Sequence, residues 1–578
     1  MYLVIVDTTQ IQPYVFGSNR LRENLGASYL VAQATDAWAL AAVPQPNNVE
    51  IETGKLNGKQ IEKDNLAAEV VYAGGGNIVV IFSDETDAKT FARDLSLKAL
   101  ADAPGLQLVI ARKSFDWQTE PIVKVVDDVF DELNVAKHAL PASAPLLGLG
   151  VTVMCRSTGL PAVTMSHKIQ DDPAYPISAD IAAKHAVNTD ANNHLRKRFE
   201  GVLRDSYEFP QDFEQLGRTS GDHSFVAVAH ADGDGMGQHI QRIGKRFMEP
   251  APQEDHSQLN RNYITAIRNF SQAVEQSSQA ALESALSKLI NCINSDGEIT
   301  GLQNASASNM SALIPPVKLC LDRNGRYLLP FRPIVFGGDD VTFVCDGRLG
   351  LSLALEYMQR FAAETTARHE ACGGMITASS GIAIVKSHYP FARAYVLAEQ
   401  LSKSAKKYRR EIKETNGDWN DACLDWHFAM SGLAGNIGEI RSREYTPYPP
   451  ARGQLNMHPV TIEENPENSL RSWVVVRRGV NAFQGNEWAG RRNKVKALRE
   501  ALRRGADYVE EFRIKFNKTE SNPDGLLPDI EPSQVDLRLQ GWQGGYCGYF
   551  DAIELSDWFI SLEGCERDES EHSLETHE

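Results

Sequence analysis

The chain has no apolar run of about 18 residues, which is the length that a helix needs to cross a bilayer. No membrane-spanning helix is therefore expected. The start, "MYLVIVDTTQ", lacks a basic segment and a cleavage signature, so we expect no signal peptide.

Cysteine is scarce, and none of the eight cysteines stands in a CxxC pair. This scarcity argues against a zinc site and is typical of free thiols in a cytoplasmic protein.

The chain also has fewer basic than acidic residues. It contains 59 lysines and arginines and 76 aspartates and glutamates, so its net charge is -17. This charge opposes non-specific binding of nucleic acid, which needs a cationic surface, but it allows a local basic patch. We interpret one late patch either as a contact for RNA or a partner subunit, or as a solvated helix face. This patch comprises Arg491, Arg492, Lys494, Lys496, Arg499, Arg503 and Arg504. The last residues, 567–578, are polar and acidic and are predicted to form a disordered tail.

At 578 residues the chain is too long for one ordinary domain, and two of its segments repeat one order of patterns. In each segment a β-branched strand pattern leads to a helix, a hairpin, a second helix and a further strand. The second segment also carries a long helical insertion, roughly Leu259 to Ile293. This order predicts a duplicated α+β unit.

The hairpin tips of the two segments differ in their side chains. The second tip reads "VFGGDDVTF" and contains Gly337, Gly338, Asp339 and Asp340. The first tip reads "AGGGN", so that Gly75, Gly76 and Asn77 stand where the second has Gly338, Asp339 and Asp340. Both tips are also compatible with plain tight turns. Two adjacent carboxylates repel each other, however, and need a compensating cation.

A second acidic cluster follows the strand pattern "VAVAHADGDGMG", in which Asp232 and Asp234 lie two residues apart. Side chains at this spacing on a strand point to the same face. If this strand end lies beside the hairpin tip, Asp232, Asp234, Asp339 and Asp340 supply the oxygen ligands that Mg²⁺ or Mn²⁺ prefers. The same loop opens a helix, and its backbone N–H groups are predicted to face a triphosphate. The residues involved are Gly233, Gly235, Met236 and Gly237, with Gly337 and Gly338 of the hairpin.

This arrangement resembles the palm domain of nucleotide cyclases, GGDEF diguanylate cyclases and many polymerases. Downstream, "SSGIAIV" and "AEQLSKSAKKY" are similar to the end of a GGDEF domain, and the matching positions are Glu399 and Lys406. The resemblance implies that Lys406 reaches the terminal phosphates of a nucleotide. The alternative is that Lys406 lies on a solvated helix face, since "KSAKKYRR" is rich in bases.

A narrower resemblance is to the large polymerase-cyclase subunit of type III CRISPR effector complexes, which has two palm domains of which the first is degenerate. It rests on "IQPYVFGSNRLRENLGASYLV", "AGGGN", "CRSTGLPA", "GIAIVKSHYPFARAYVLAEQLSKSAK" and "REYTPYPP". It implies an α+β fold with two ferredoxin-like palm domains and a mostly α-helical C-terminal domain. The expected boundaries are 1–145 for the degenerate first palm, 146–220 for a linker domain, 221–415 for the catalytic second palm and 416–566 for the C-terminal domain.

Two features of that family are missing from this sequence. The chain has no His-Asp dipeptide, so we expect a form that lacks the HD nuclease domain. Cys155 is followed by Arg, Ser and Thr in place of a second cysteine, so no zinc knuckle is expected and Cys155 is interpreted as a packed thiol.

The function that the resemblance implies is metal-dependent nucleotidyl transfer, in which ATP becomes a cyclic or short linear oligoadenylate for antiviral defence. Asp232, Asp339 and Asp340 would be catalytic, and the first palm would hold an acceptor nucleotide through Gly75 and Gly76 without binding metal. Expected partners are ATP, other CRISPR effector subunits and guide or target RNA. Two alternatives stay open, namely a free-standing defence cyclase that makes another cyclic nucleotide, and a non-catalytic scaffold subunit of an RNA-guided effector.

Overall fold

The computed structural model of the chain describes residues 1–564, with the exception of 51, 140–149, 168–172, 217–224, 249–255, 301–313, 418, 430–434, 450, 464, 466, 486, 489 and 533. The predicted acidic tail, 567–578, lies outside the described residues.

The first palm is a four-stranded antiparallel sheet with the strand order β2-β3-β1-β4. This is the order of a ferredoxin-like fold, and it follows from two βαβ-type crossovers around the β2–β3 hairpin. The β-branched run of β1 is buried on both faces, which is why it occupies a central position. The elements are β1 (Tyr2–Thr9), α1 (Ile11–Phe16), α2 (Leu21–Thr35), α3 (Ala37–Ala42), β2 (Ala68–Gly74), β3 (Asn77–Phe82), α4 (Glu85–Asp102), β4 (Gln107–Ser114) and α5 (Ile122–Ala139).

Short helices and two-residue strands form the linker between the palms. Cys155 is a buried free thiol that packs against Tyr175, Ile177 and Ile181 in a small core. The elements are β5 (Thr164–Met165), β6 (Pro176–Ile177), α6 (Ala179–Ala186), α7 (Asn188–Arg198), α8 (Glu200–Leu203) and β7 (Tyr207–Glu208), followed by a 3₁₀ turn (Phe213–Gln215).

The second palm repeats the first, because its strands β13-β14-β8-β15 have the same order and the same antiparallel pairing. The predicted helical insertion is one long helix, α10 (His256–Asn291). The elements are β8 (Phe225–Gly233), α9 (Met236–Lys245), α10 (His256–Asn291), β9 (Glu298–Ile299), β10 (Val317–Lys318), β11 (Cys320–Leu321), β12 (Tyr327–Leu328), β13 (Phe331–Gly337), β14 (Asp340–Asp346), α11 (Gly350–Ala367), α12 (His369–Cys372), β15 (Ala378–Lys386) and α13 (Phe391–Thr415).

The sheet of the second palm continues beyond residue 415. Strand β16 (Cys423–Ala429) pairs parallel with β15, and β17 (Val460–Thr461) pairs with β16, so the sheet has six strands. The boundary at residue 416 stays a prediction, and the buried strand β16 lies in the same sheet as the strands before it. The other elements up to residue 564 are α14 (Ile437–Glu444), α15 (Trp473–Gln484), α16 (Arg492–Arg504), α17 (Ala506–Phe512), a π-helical turn (Arg513–Asn517), α18 (Val535–Gln540), β18 (Trp542–Gln543), β19 (Tyr546–Cys547) and α19 (Phe550–Ser556).

The basic patch lies on α16, and part of it is used inside the C-terminal domain. Arg499 forms an ion pair with Glu554 at 2.9 Å, and the guanidinium groups of Arg499 and Arg503 lie over the ring of Phe550. Lys494 lies 4.2 Å from the ring centre of Trp488. These cations therefore stabilise the local packing of the C-terminal domain.

Helix α10 joins the two palms through polar contacts. Arg261 forms two hydrogen bonds with the buried carboxylate of Glu69, at 2.7 and 2.8 Å, and also pairs with Glu62. Arg268 reaches the same carboxylate at 3.0 Å and donates to the carbonyl of Val70 at 2.9 Å. A continuous apolar core runs through both sheets, α10 and the C-terminal helices, so the palms are held in one arrangement.

No helix within the described ranges is long and apolar enough to cross a membrane. Within the described residues six cysteines are free thiols, in agreement with the expectation for them.

Candidate active site

The pairing of β8 with β14 brings the two acidic clusters together. The register places Asp232 opposite Asp340, and Ser379 of β15 lies opposite Asp232 on the other side. Asp339 packs over Gly233, whose N–H donates to the Asp339 carbonyl at 3.2 Å. A Cβ at residue 233 would come within 2.7 Å of the Asp339 side chain, so only glycine fits there. The strand end and the hairpin tip thus form one carboxylate cluster of Asp232, Asp339 and Asp340.

The electrostatics of this cluster show a shortage of positive charge. Burial and the neighbouring charges of Asp232 and Asp340 raise the pKa of Asp339 to about 7. Burial and the charge of Asp232 also raise the pKa of Asp340 to about 7, although Lys406 opposes this. The Oδ1 atom of Asp340 is buried and accepts no hydrogen bond within the described chain. His230, whose Nδ1 lies 3.3 Å from that oxygen, is kept neutral because burial lowers its pKa.

Lys406 of α13 supplies the positive charge nearest to the cluster. Its ammonium lies 2.5 Å from Oδ2 of Asp232 and donates to the carbonyl of Gly233 at 2.8 Å. In the part of the chain that the structure describes, no three His, Cys, Asp or Glu side chains are spaced as a ready-made set of metal ligands. The chemistry of the donors nevertheless fits a hard divalent cation, since three carboxylates converge and one oxygen is unpartnered. A dication at Asp232 would compete with the ammonium of Lys406.

Asp234 has a different environment from the one expected of a metal ligand. Its carboxylate accepts hydrogen bonds from Thr377 and Ser379, both at 2.8 Å, and pairs with Arg409 at 3.2 Å. Burial raises its pKa, and the Arg409 charge and the Thr377 hydroxyl oppose that rise. Because both oxygens are already occupied, Asp234 fixes the loop after β8 to β15 and α13, and the cluster proper is Asp232, Asp339 and Asp340.

The sequence did not single out the residues that hold Asp234. Arg409 lies in the "KKYRR" run, which is compatible with a solvated face, yet its side chain is buried. A helical-periodicity count would have found it, because Arg409 shares the inward face of α13 with Leu401, Ser402 and Ala405.

The remaining predicted nucleotide-binding residues lie around the cluster. Gly235 caps the start of α9, Met236 packs against Gly233, and Gly237 has open space beside it. Gly338 has φ = +64° at the hairpin tip, a conformation that favours glycine, and a Cβ there would meet no atom within 4 Å. Gly237, at the start of α9, and Gly338, at the hairpin tip, therefore border open space.

The glycine-rich tip of the first palm faces the hairpin that carries the carboxylates. Its register pairs Gly74 with Asn77, as Gly337 pairs with Asp340, so Gly75 and Gly76 correspond to Gly338 and Asp339. A Cβ at Gly337 would lie 3.8 Å from the backbone of Gly75, so the two tips face each other. The predicted correspondence of the two tips is therefore confirmed.

Comparison with known proteins identifies the family of the carboxylate-bearing unit. Residues 225–413 match the family model described as Cas10/Cmr2, second palm domain. This segment is similar to the second palm domain of Cas10/Cmr2 proteins. That match includes the three carboxylates and Lys406, whereas Gly75 and Gly76 lie outside it. Comparison with curated proteins finds no match.

Solved structures resemble the chain over nearly its whole length. Csm1 of T. onnurineus is 14% identical with a TM-score of 0.50, and the match covers 97% of this chain and 70% of that chain. A Csm1–Csm4 cassette in complex with cA4 is 12% identical with a TM-score of 0.47, and the match covers 96% of this chain and 70% of that chain. A Csm1–Csm4 subcomplex of the type III-A CRISPR-Csm interference complex is 12% identical with a TM-score of 0.44, and the match covers 96% of this chain and 70% of that chain. The Csm1 match shows the fold, and with the Cas10/Cmr2 domain it confirms the predicted α+β class with two palms.

Proposed function

We propose that the chain is a metal-dependent nucleotidyltransferase that converts ATP into cyclic or short linear oligoadenylate. The observation that carries the proposal is the convergence of Asp232, Asp339 and Asp340 at the point where the first palm's glycine tip arrives. A structural turn has no use for three mutually repelling carboxylates, two of which, Asp339 and Asp340, have raised pKa values, whereas a cation-dependent reaction does.

The proposed reaction forms one bond and breaks another. A 3′-hydroxyl oxygen of an acceptor nucleotide bonds to the α-phosphorus of ATP, the bond to the β-phosphate breaks, and pyrophosphate and a proton leave. Mg²⁺ or Mn²⁺ held by Asp232, Asp339 and Asp340 would activate the hydroxyl and stabilise the leaving pyrophosphate. Lys406, once released from Asp232, is placed to bind phosphate oxygens, because its ammonium lies between that carboxylate and the loop opening α9.

The setting that we propose is a cytoplasmic type III CRISPR effector complex. The structures that the chain resembles include Csm1 bound to Csm4, and a partner subunit of this kind, with guide and target RNA, would control the reaction. The basic helix α16 is a candidate contact. If the chain works alone, it is a free-standing defence cyclase with a different trigger and product.

The test is to incubate the purified full chain with labelled ATP and Mg²⁺ or Mn²⁺, with and without RNA and partner subunits, and to identify products by mass spectrometry. We expect the reaction to form 3′–5′-linked oligoadenylate and pyrophosphate. Neither product should form when EDTA is present. Product formation by the chain alone would favour the free-standing cyclase. Absence of any product in the assembled complex would contradict the proposal and favour the scaffold.

A further inference from the structure

A cavity of about 200 Å³ lies where the second sheet meets the C-terminal helices. Its walls come from the end of β16, from α15, α16 and α19, and from the residues that follow α15 and α19. Gln484, the last residue of α15, donates hydrogen bonds to the carbonyl groups of Ser556 and Phe559, both at 3.1 Å. These bonds hold α15 to the end of α19, so two of the walls are fixed to each other.

One part of the lining is aromatic and consists of Phe428, Phe483, Trp488 and Trp558. The first three side chains are buried, and that of Trp558 is half-buried. Aromatic side chains form stacking surfaces for planar rings. A cavity of roughly 150 Å³ is already large enough for a ligand the size of benzene. The size and the lining of this cavity are therefore suited to one planar ring.

The other part of the lining carries an excess of positive charge. Its cations are Arg492, Lys496 and Arg499 of α16, and its carboxylates are those of Glu554 and Asp557. Arg499 pairs with Glu554 at 2.9 Å, and Arg492 lies 3.7 Å from Asp557. Lys496 is exposed and forms no ion pair with any residue that the structure describes. One positive charge beside the aromatic walls is therefore left uncompensated.

Arg499 offers further donors at the same place. Its Nη2 donates to Glu554, but its Nε is buried and has no acceptor among the described residues. A guanidinium group has five N–H donors, so the pair with Glu554 leaves some of them unused. Because 40% of the Arg499 side chain is exposed, an anion has access to it.

We propose that this cavity binds a small aromatic anion of the nucleoside monophosphate class, with its ring against the aromatic walls and its phosphate at Lys496 and Arg499. None of the described lining residues belongs to the carboxylate cluster, and the inference does not depend on the proposed reaction. Trp558 packs edge to face on Phe225, the first residue of β8, with ring centres 4.5 Å apart. A bound ring would therefore stabilise the junction between the C-terminal domain and the strand whose other end carries Asp232.

Binding of adenosine 5′-monophosphate (AMP) tests the proposal. The full chain with Asp339→Ala and Asp340→Ala is titrated calorimetrically in EDTA, so that the carboxylate cluster and its metal contribute nothing. Adenosine and inorganic phosphate are titrated separately. We expect AMP to bind at one site, at least about tenfold more tightly than either fragment, because the site holds both ring and phosphate. Absence of AMP binding, or phosphate binding as tight as that of AMP, would overturn the proposal.

Variants of α16 locate the bound AMP. Lys496→Gln should weaken binding by roughly tenfold, because a charge-assisted hydrogen bond to phosphate is lost. Lys515→Gln is the matched control, since Lys515 is an exposed lysine of the same domain outside the cavity, and it should bind like the wild type. Val495→Phe fills the cavity from a partly buried position and should abolish binding. Wild-type affinity in Lys496→Gln, or in folded Val495→Phe, would place AMP elsewhere and refute the site.

A contact between α16 and a single RNA strand is the alternative use of these cations. Arg504 lies on the same helix but does not line the cavity, so Arg504→Gln should leave AMP binding unchanged. If Arg504→Gln weakens AMP binding as much as Lys496→Gln does, the helix binds phosphate without a defined pocket and the proposal fails. The proposal also fails if an oligoadenylate RNA displaces AMP at lower concentration than AMP itself requires and both variants weaken that RNA equally.

Discussion

At the scale of single residues, neighbouring aspartates have opposite roles. Asp232 is part of a half-buried carboxylate cluster, whereas Asp234, two residues later, is buried in a network with Thr377, Ser379 and Arg409. Both oxygens of Asp234 are occupied by protein partners, so Asp234 stabilises the fold, whereas the cluster of Asp232 includes a buried Asp340 oxygen that has no hydrogen-bond partner among the described residues. Substitutions at these positions should therefore separate activity from stability.

The hairpin carboxylates should be needed for turnover but not for folding. Asp339→Ala combined with Asp340→Ala should abolish nucleotide turnover, because the cation then has only Asp232 to bind. Without metal, the melting temperature should stay the same or rise slightly, since like-charge repulsion is removed. Turnover of labelled ATP and thermal unfolding in EDTA measure the two effects. Wild-type activity in the double variant would disprove the assignment of the cluster.

Asp232→Asn and Asp234→Asn should have contrasting effects. The first should strongly lower both metal affinity and rate at nearly unchanged stability, because Asp232 faces the cluster. The second should lower the free energy of unfolding by about 3 kcal/mol, since it leaves the buried Arg409 charge uncompensated. Chemical denaturation and initial rates at saturating metal distinguish the two, and equal stabilities would show that the Arg409 pair is unimportant.

At the scale of elements, the site is made by two hairpins that meet tip to tip. The β13–β14 hairpin brings carboxylates, and the β2–β3 hairpin brings only backbone and Asn77. Such a division suits a donor nucleotide on one tip and an acceptor on the other.

A bulky residue on the first tip should impair nucleotide binding alone. Gly75→Val should raise the apparent KM for ATP while the dependence on Mg²⁺ concentration stays the same, because Gly75 borders Gly337 but no carboxylate. Gly75 has φ = +63°, so part of any effect is backbone strain. Gly54→Val controls for that strain, since Gly54 has φ = +68° in an exposed loop of the same palm. An identical KM in folded Gly75→Val and Gly54→Val would contradict the role of the tip.

At the scale of the whole molecule, the cleft depends on how the palms are held. Helix α10 of the second palm carries Arg261 and Arg268 to Glu69 of the first. Burial alone would raise the pKa of Glu69, but the hydrogen bonds and charge of Arg261 outweigh it, so the pKa is lowered. A carboxyl group with a lowered pKa contributes stability above its unfolded pKa, and this contribution is lost as the pH falls through the folded value.

Arg261→Ala should therefore destabilise the protein in a pH-dependent way. At pH 7 the free energy of unfolding should fall by roughly 3 kcal/mol, because the buried Glu69 carboxylate loses its main partner. The difference from the wild type should shrink as the pH falls below about 4.5, the ordinary pKa of Glu69, since protonation removes the charge that Arg261 compensates. Urea unfolding at pH 7 and below pH 4.5 measures the difference in the free energy of unfolding between variant and wild type. A difference that does not change with pH would show that Arg261 does not act through the charge of Glu69.

The sequence by itself determined the duplicated α+β plan, the two hairpins and the pairing of a strand-end aspartate with a hairpin tip. Period-two apolar runs, glycine-rich turns and carboxylates at strand ends are local signals, and they need no long-range information. Only the tertiary structure decided that Asp234 faces Arg409, that β16 extends the second sheet and that Lys137 pairs with Asp7. Each of these depends on contacts between residues far apart in the chain, where burial and pairing, and not residue type, determine what a charged side chain does.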